Sequence, residues 1–185
     1  MAKEYVSPRI RIRDAARELL LETNDIESIT VRQIAERAKV GVGLVNYHYS
    51  SKDALLAALV SEMMNEMLKQ DIKVSEGTSP RERLENMLVR LFDFGAEYVS
   101  LLRFMIRQSI EEGDMNTALT LVPYLKDILG QDTDEMKIRI LALQILYPLQ
   151  MTCISPEEFK LYSGIDVMNA VERKQYVINL INNLL

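Results

Sequence analysis

Apolar residues recur at three- and four-residue spacing along almost the whole chain, and polar clusters with glycine or proline separate the periodic runs. A first helix is predicted over residues 8–21, with Ile12, Ala15, Ala16, Leu19 and Leu20 on one face. Thr30 with Gln33 three residues later is a capping box, and Ile34, Ala35 and Ala38 follow it at helical spacing. Lys39-Val40-Gly41 breaks that pattern, and Gly41 is expected to take the turn conformation that other residues resist. Residues 42–49 resume as a helix too short to be stable without neighbours. A helix, a tight turn and a second short helix make a helix-turn-helix layout. A fourth helix opens at Lys52 and runs to about residue 68, with Leu56, Leu59, Val60, Met63 and Met67 in phase.

Beyond it, residues 71–79 are polar and read as a hinge. Ser79-Pro80-Arg81-Glu82 is a second capping box with proline at the first helical position, and Leu84, Met87, Leu88, Leu91 and Tyr98 define the helix it starts. Further helices are predicted over residues 101–112, 116–129 and 134–151. Ser155-Pro156-Glu157-Glu158 reads as a third capping box opening a short helix to residue 162, and the last helix spans residues 169–184. No strand alternation, internal repeat or low-complexity tract interrupts this series. The expected fold is all-α, with a three-helix helix-turn-helix domain over residues 1–52 and a helical second domain over residues 53–185.

The chemistry gathers at the end of the third helix. Tyr47, His48 and Lys52 bring a hydroxyl, an imidazole and an ammonium near a helix N-terminus, a surface suited to phosphate oxygens. Val45 and Tyr49 read as core.

VGLVNYHYSSKDALL resembles the signature of the TetR/AcrR family of bacterial transcriptional repressors. TVRQIAERAKV is similar to that family's second helix and RIRIRDAARELL to its first, so the close match covers about the first third of the chain. The rest agrees in length, helicity and a C-terminal YSGIDV…YVINLI pattern. The resemblance implies contacts to double-stranded DNA from Thr30 and Arg32 on the second helix, from Val42, Gly43, Leu44, Asn46, Tyr47 and His48 on the third, and from Lys52 on the fourth. Two departures stand out. Lys39 stands where the family often has glycine, and Gly41 where it has serine or threonine, which weakens capping there. Val42, Gly43 and Leu44 replace positions that are often Lys, Gln or Thr. Apolar side chains cannot donate to guanine but can pack on a thymine methyl, so hydrogen-bond readout falls on Asn46 and Tyr47, helped by Arg32.

A net charge of −5 at first opposes a DNA-binding role, but the charge is unevenly divided. Residues 1–56 hold nine Lys and Arg against eight Asp and Glu, a balance of +1, whereas residues 57–185 carry −6. Arg9, Arg11, Arg13 and Arg17 cluster at the start of helix 1, where they are expected to meet the DNA backbone. Nearly half the residues are apolar, there is no Trp and little Gly or Pro, and the chain is long enough to bury a proper core. No apolar run approaches the ~18 residues a membrane span needs, and no leader with a cleavage site begins the chain, so no membrane association is expected. The single cysteine, Cys153, cannot form an internal disulfide; a bacterial cytoplasmic location and an inert buried thiol are the expectations.

Enzymatic readings find no support. His48 is the one histidine, the acids Glu111, Glu112 and Asp114 have no His or Cys beside them for a metal, and Gly41 with Gly43 is not a phosphate loop. No catalytic residue, metal or cofactor is expected.

Two late helices carry excess apolar surface. Residues 136–149 are apolar on almost every side, which predicts burial all round. The residues leave open whether these helices pack within one chain or against a second. The resemblance implies the latter, a four-helix bundle in a homodimer, with Leu143, Leu146, Val177, Leu180, Ile181 and Leu184 at the interface. It also implies a cavity for a small apolar or amphipathic effector. Met63, Met67, Met87, Leu91, Phe94, Tyr98, Phe104, Tyr124 and Tyr147 are its candidate lining, with Gln108 as a polar group. Taken one at a time, such Met and aromatic residues at helical spacing are more often plain core, and each reads as core first. The expectation is thus a ligand-responsive regulator that binds a palindromic operator. A helical DNA-binding or protein-interaction module without a small-molecule effector is the alternative.

Overall fold

The computed structural model describes residues 6–23, 25–74 and 77–185. Their regular structure is helical throughout: α1 (Pro8–Thr23), α2 (Val31–Ala38), α3 (Val42–His48), α4 (Lys52–Val74), α5 (Pro80–Glu97), α6 (Val99–Glu112), α7 (Asn116–Leu119), α8 (Val122–Leu129), α9 (Glu135–Ile154), α10 (Pro156–Ser163) and α11 (Ala170–Leu184). The chain divides into two compact units, Met1–Glu66 and Met67–Leu185, and the division falls inside α4. That helix runs through Val74, past the expected end near residue 68 and into the stretch read as a hinge; residues 75 and 76 of that stretch lie outside the described residues.

In the N-terminal unit, α1 buries the stripe its periodicity sets out: Ile12, Ala15, Ala16, Leu19 and Leu20. Ile26 and Ile29 from the connection, Ile34 of α2, Val45 of α3, and Leu55, Leu56 and Leu59 of α4 complete the core. α1 packs on both α2 and α3. Burial of these aliphatic side chains, at about 1.5–3 kcal/mol each, is what holds helices this short in place.

In the C-terminal unit, α5 packs against α8, α9 and α11, and α9 also meets α6, α7 and α10. Leu84, Met87, Leu88, Leu125, Ile138, Ile145, Val177 and Ile181 are wholly buried between them. Asp93 of α5 and Arg173 of α11 add a charged clamp. Nη2 of Arg173 lies 2.6 Å from a carboxylate oxygen of Asp93, and its Nη1 donates to the Val167 carbonyl at 2.8 Å. Such a largely buried guanidinium is tolerable because its donors are matched by acceptors.

Three sequence expectations are corrected. The helix expected over residues 116–129 is two, because Pro123 has no N–H to give the Leu119 carbonyl and its ring crowds that group; α7 stops at Leu119 and α8 restarts with Pro123 in its first turn. Ser155 forms no capping box. It ends α9 and begins α10 at once, and at φ −134°, ψ 57° its hydroxyl accepts no cap hydrogen bond. Finally, α9 is not buried on every side, since Met136, Ile140, Tyr147 and Met151 are exposed along one edge.

Candidate nucleic-acid interface

The helix-turn-helix is fixed at both ends of α2. Thr30 is extended, its hydroxyl accepts the Gln33 N–H at 3.2 Å, and its own N–H donates to the Gln33 side chain at 2.8 Å. At the other end Val40 N–H reaches the Ala35 carbonyl at 3.0 Å and Lys39 N–H the Glu36 carbonyl at 3.2 Å, the two bonds of a Schellman turn. That turn needs one residue in the left-handed region. Gly41 was expected to supply it, but Lys39 does, at φ 54°, ψ 50°. Gly41 is extended at φ −74°, ψ 147° and caps α3 without a side chain. From α1, Arg11 Nη1 donates to the last carbonyl of α2, Ala38, at 3.2 Å.

α3 buries one residue of its seven, Val45, and the chain buries Tyr49 just after it. Most of the rest of the helix is presented outward. Val42, Gly43 and Asn46 are exposed, Tyr47 is 81% exposed, and Leu44 and His48 are half-buried. A Cβ added at Gly43 would meet nothing within 4 Å, so this face is open. The Tyr47 and His48 rings stand edge to face with centroids 5.2 Å apart, which orients the phenol hydroxyl at the end of the helix. Arg32 is exposed on α2 and bridges to Glu36 at 3.1 Å.

The cations around this face are more committed than their sequence positions suggest. Lys52 Nζ donates to the Ile29 carbonyl at 3.0 Å and to the Glu27 carbonyl at 3.4 Å, tying the start of α4 to the α1–α2 connection. Of the arginines expected to meet DNA, Arg11 holds α2, Arg13 lies 2.9 Å from Glu62 and Arg17 2.8 Å from Glu66. Arg9 lies over the Tyr49 ring. Carboxylate hydrogen bonds raise the Arg13 and Arg17 guanidinium pKa further above its ordinary value. Arg37 likewise pairs with Glu22 at 2.7 Å and Glu18 at 3.3 Å, which lowers the Glu22 carboxyl.

Residues 12–59 match the family model described as bacterial regulatory proteins, tetR family. That match lies within the N-terminal unit. Along the whole chain, solved TetR regulators share the fold. Thermus thermophilus FadR, a TetR-family transcriptional repressor in complex with lauroyl-CoA, is 19% identical with TM-score 0.68, covering 96% of this chain and 95% of that one. A TetR transcriptional regulator from Rhodococcus sp. RHA1 is 16% identical with TM-score 0.69 over the same shares, 96% and 95%. FadR from Bacillus subtilis in complex with stearoyl-CoA is 20% identical with TM-score 0.61, covering 92% and 96%. A comparison with curated proteins finds no match.

The C-terminal candidates of this TetR-fold chain are dispersed. Met87 and Phe104 are core; Leu91 and Tyr124 pack on that core from its edge, and the Phe94 and Tyr98 rings lie 5.0 Å apart. Met67 and Gln108 are half-buried. Met63 belongs to the N-terminal unit's core, and Tyr147 faces outward on α9. An open groove of about 290 Å³ is lined by none of them, but by Arg103, Ile106, Arg107, Ile110 and Glu111 of α6 with Ile154 of α9. Among the interface candidates, Leu146, Val177 and Ile181 are buried against their own chain, the last two completely, and cannot face a partner. Leu143, Leu180 and Leu184 remain half-buried. The signal missed was the 136–140–143–147–151 spacing, which sets an outer stripe apart from the core stripe of the same helix. Among the described residues no group of His, Cys, Asp or Glu can hold a metal ion, and no single helix is long and apolar enough to cross a membrane.

Proposed function

We propose that this protein is a transcriptional regulator that binds a palindromic operator as a homodimer and is released from it by a small amphipathic effector. The observation that carries the reading is α3, a short helix behind a tight turn that buries Val45 alone and turns Val42, Gly43, Asn46 and Tyr47 outward. A short helix anchored by one buried residue, with most of its other side chains outward, has the shape of a recognition helix in a major groove. Asn46 and Tyr47 supply hydrogen bonds to base edges or phosphates, Val42 and Leu44 pack on thymine methyls, and Arg32 and Thr30 stand at the edge of the same surface. The exposed stripe of α9, with half-buried Leu143 on the same helix, and the half-buried Leu180 and Leu184 of α11 offer the self-association surface. Two recognition helices in one dimer would enter successive major grooves roughly 34 Å apart.

For the effector, two similar regulators hold long-chain acyl thioesters, lauroyl-CoA and stearoyl-CoA, which makes fatty acyl-CoA the first class to test. α4 runs unbroken from one unit into the other and is the covalent route by which binding in one alters the other. Release requires that the effector prefer the DNA-incompetent state, by typically 1–3 kcal/mol, and DNA must then weaken effector binding by the same factor. The test is a duplex-binding titration at several salt concentrations with and without lauroyl- or stearoyl-CoA. Salt-dependent affinity lost in Tyr47→Ala and Asn46→Ala supports the DNA reading. Affinity that ignores both substitutions removes α3 from the interface, and DNA binding indifferent to acyl-CoA removes this effector class.

A further inference from the structure

Lys39 is a further DNA-positioning residue, we propose, and its ammonium contacts a backbone phosphate beside the recognition helix. The inference rests on the DNA-binding reading above and on a census of charge within the N-terminal unit. That unit, Met1–Glu66, holds nine Lys and Arg against ten Asp and Glu, a balance that does not attract a polyanion by itself. Most of its cations are then committed internally. Arg13, Arg17, Arg32 and Arg37 pair with carboxylates, while Arg11 and Lys52 hold backbone carbonyls. Among the described residues the Lys39 side chain has neither kind of partner, and it is exposed. Its position is two residues before the cap of α3, at the turn that enters the groove first when a recognition helix docks by its N-terminal residues.

The backbone supports the same conclusion. Lys39 is the one non-glycine residue at positive φ among the described residues, in a turn where glycine would sit without strain. Non-glycine residues held in the left-handed region cost stability and cluster at functional sites, where the surrounding structure holds them in place. A lysine here sacrifices stability and places a cation at the groove edge, where a flexible four-carbon stem can reach a phosphate.

Two substitutions separate the roles. Lys39→Gly removes both strain and charge, so its thermal midpoint should rise by a few degrees. Its affinity for a labelled mixed-sequence duplex should fall, and the slope of log K against log salt should become shallower by about 0.9, the value for one phosphate contact. Lys39→Arg keeps the charge and should keep the parental slope. A Lys39→Gly protein that gains stability and retains the full slope would overturn the proposal. So would a Lys39→Arg protein whose slope falls with that of the glycine variant. A parental protein with no salt-dependent DNA affinity would instead contradict the DNA-binding reading itself.

Discussion

Lys52 turns its ammonium onto the carbonyls of Ile29 and Glu27, so a side chain that the sequence assigns to phosphate is part of the scaffold. Hydrogen bonds to a charged group contribute about 1.5–3 kcal/mol. Lys52→Met should therefore lower the unfolding free energy by about that much in a denaturant titration, and an unchanged midpoint would show the contact to be immaterial. Thr30 works on the same connection from the other side. Loss of its capping oxygen in Thr30→Ala should destabilise the N-terminal unit by about 1 kcal/mol, read as a lower thermal midpoint. Cys153 is the opposite case, a buried side chain that packs in the core and makes a long thiol contact to the Phe92 carbonyl at 3.8 Å. Burial pushes its thiol up to about 12, so almost no thiolate exists near neutral pH. The unfolded thiol, at about 8.5, releases its proton first as pH rises. Cys153 therefore lowers stability progressively between about pH 8.5 and 12. Native protein at pH 8 should resist iodoacetamide while denatured protein reacts, as mass spectrometry would record; rapid alkylation of the native chain would place the thiol elsewhere.

At the scale of elements, most of the chain is legible because caps and periodicity are local. Thr30, Ser79, Asp134 and Asn169 each mark a helix start in the sequence and accept backbone N–H groups in the structure. What the pattern does not resolve is which apolar face meets which neighbour. Val177 and Leu180 lie on the same helix at core-like spacing, yet one is buried and the other half-exposed, because only packing against α5 and α9 decides it. In the same way Gly41 reads as the turn residue, and nothing local tells that the Schellman bonds of α2 place the left-handed residue at Lys39 instead. The distinction matters for assembly. Ile140→Glu puts a charge on the exposed stripe of α9 and should give a folded monomer in sedimentation at micromolar concentration. Ile181→Glu buries that charge in the chain's own core and should unfold it. If Ile140→Glu remains dimeric, α9 is not the interface.

Over the whole molecule the two units differ in charge: Met1–Glu66, which carries α3, holds nine Lys and Arg against ten Asp and Glu, and Met67–Leu185, with the larger core, holds thirteen against seventeen. On the proposed reading, attraction to DNA would depend on a few outward cations and on the shape of α3, not on a broad basic field, and affinity would be selective for duplexes that fit the α3 helices of both protomers at once. The most direct measurement is selection of bound duplexes from a random pool by the intact chain. The account predicts enrichment of a palindrome, with half-site centres one helical turn or a multiple of it apart and with enrichment lost in Tyr47→Ala. A pool that shows no enrichment, or a selected site without two-fold symmetry, would contradict it.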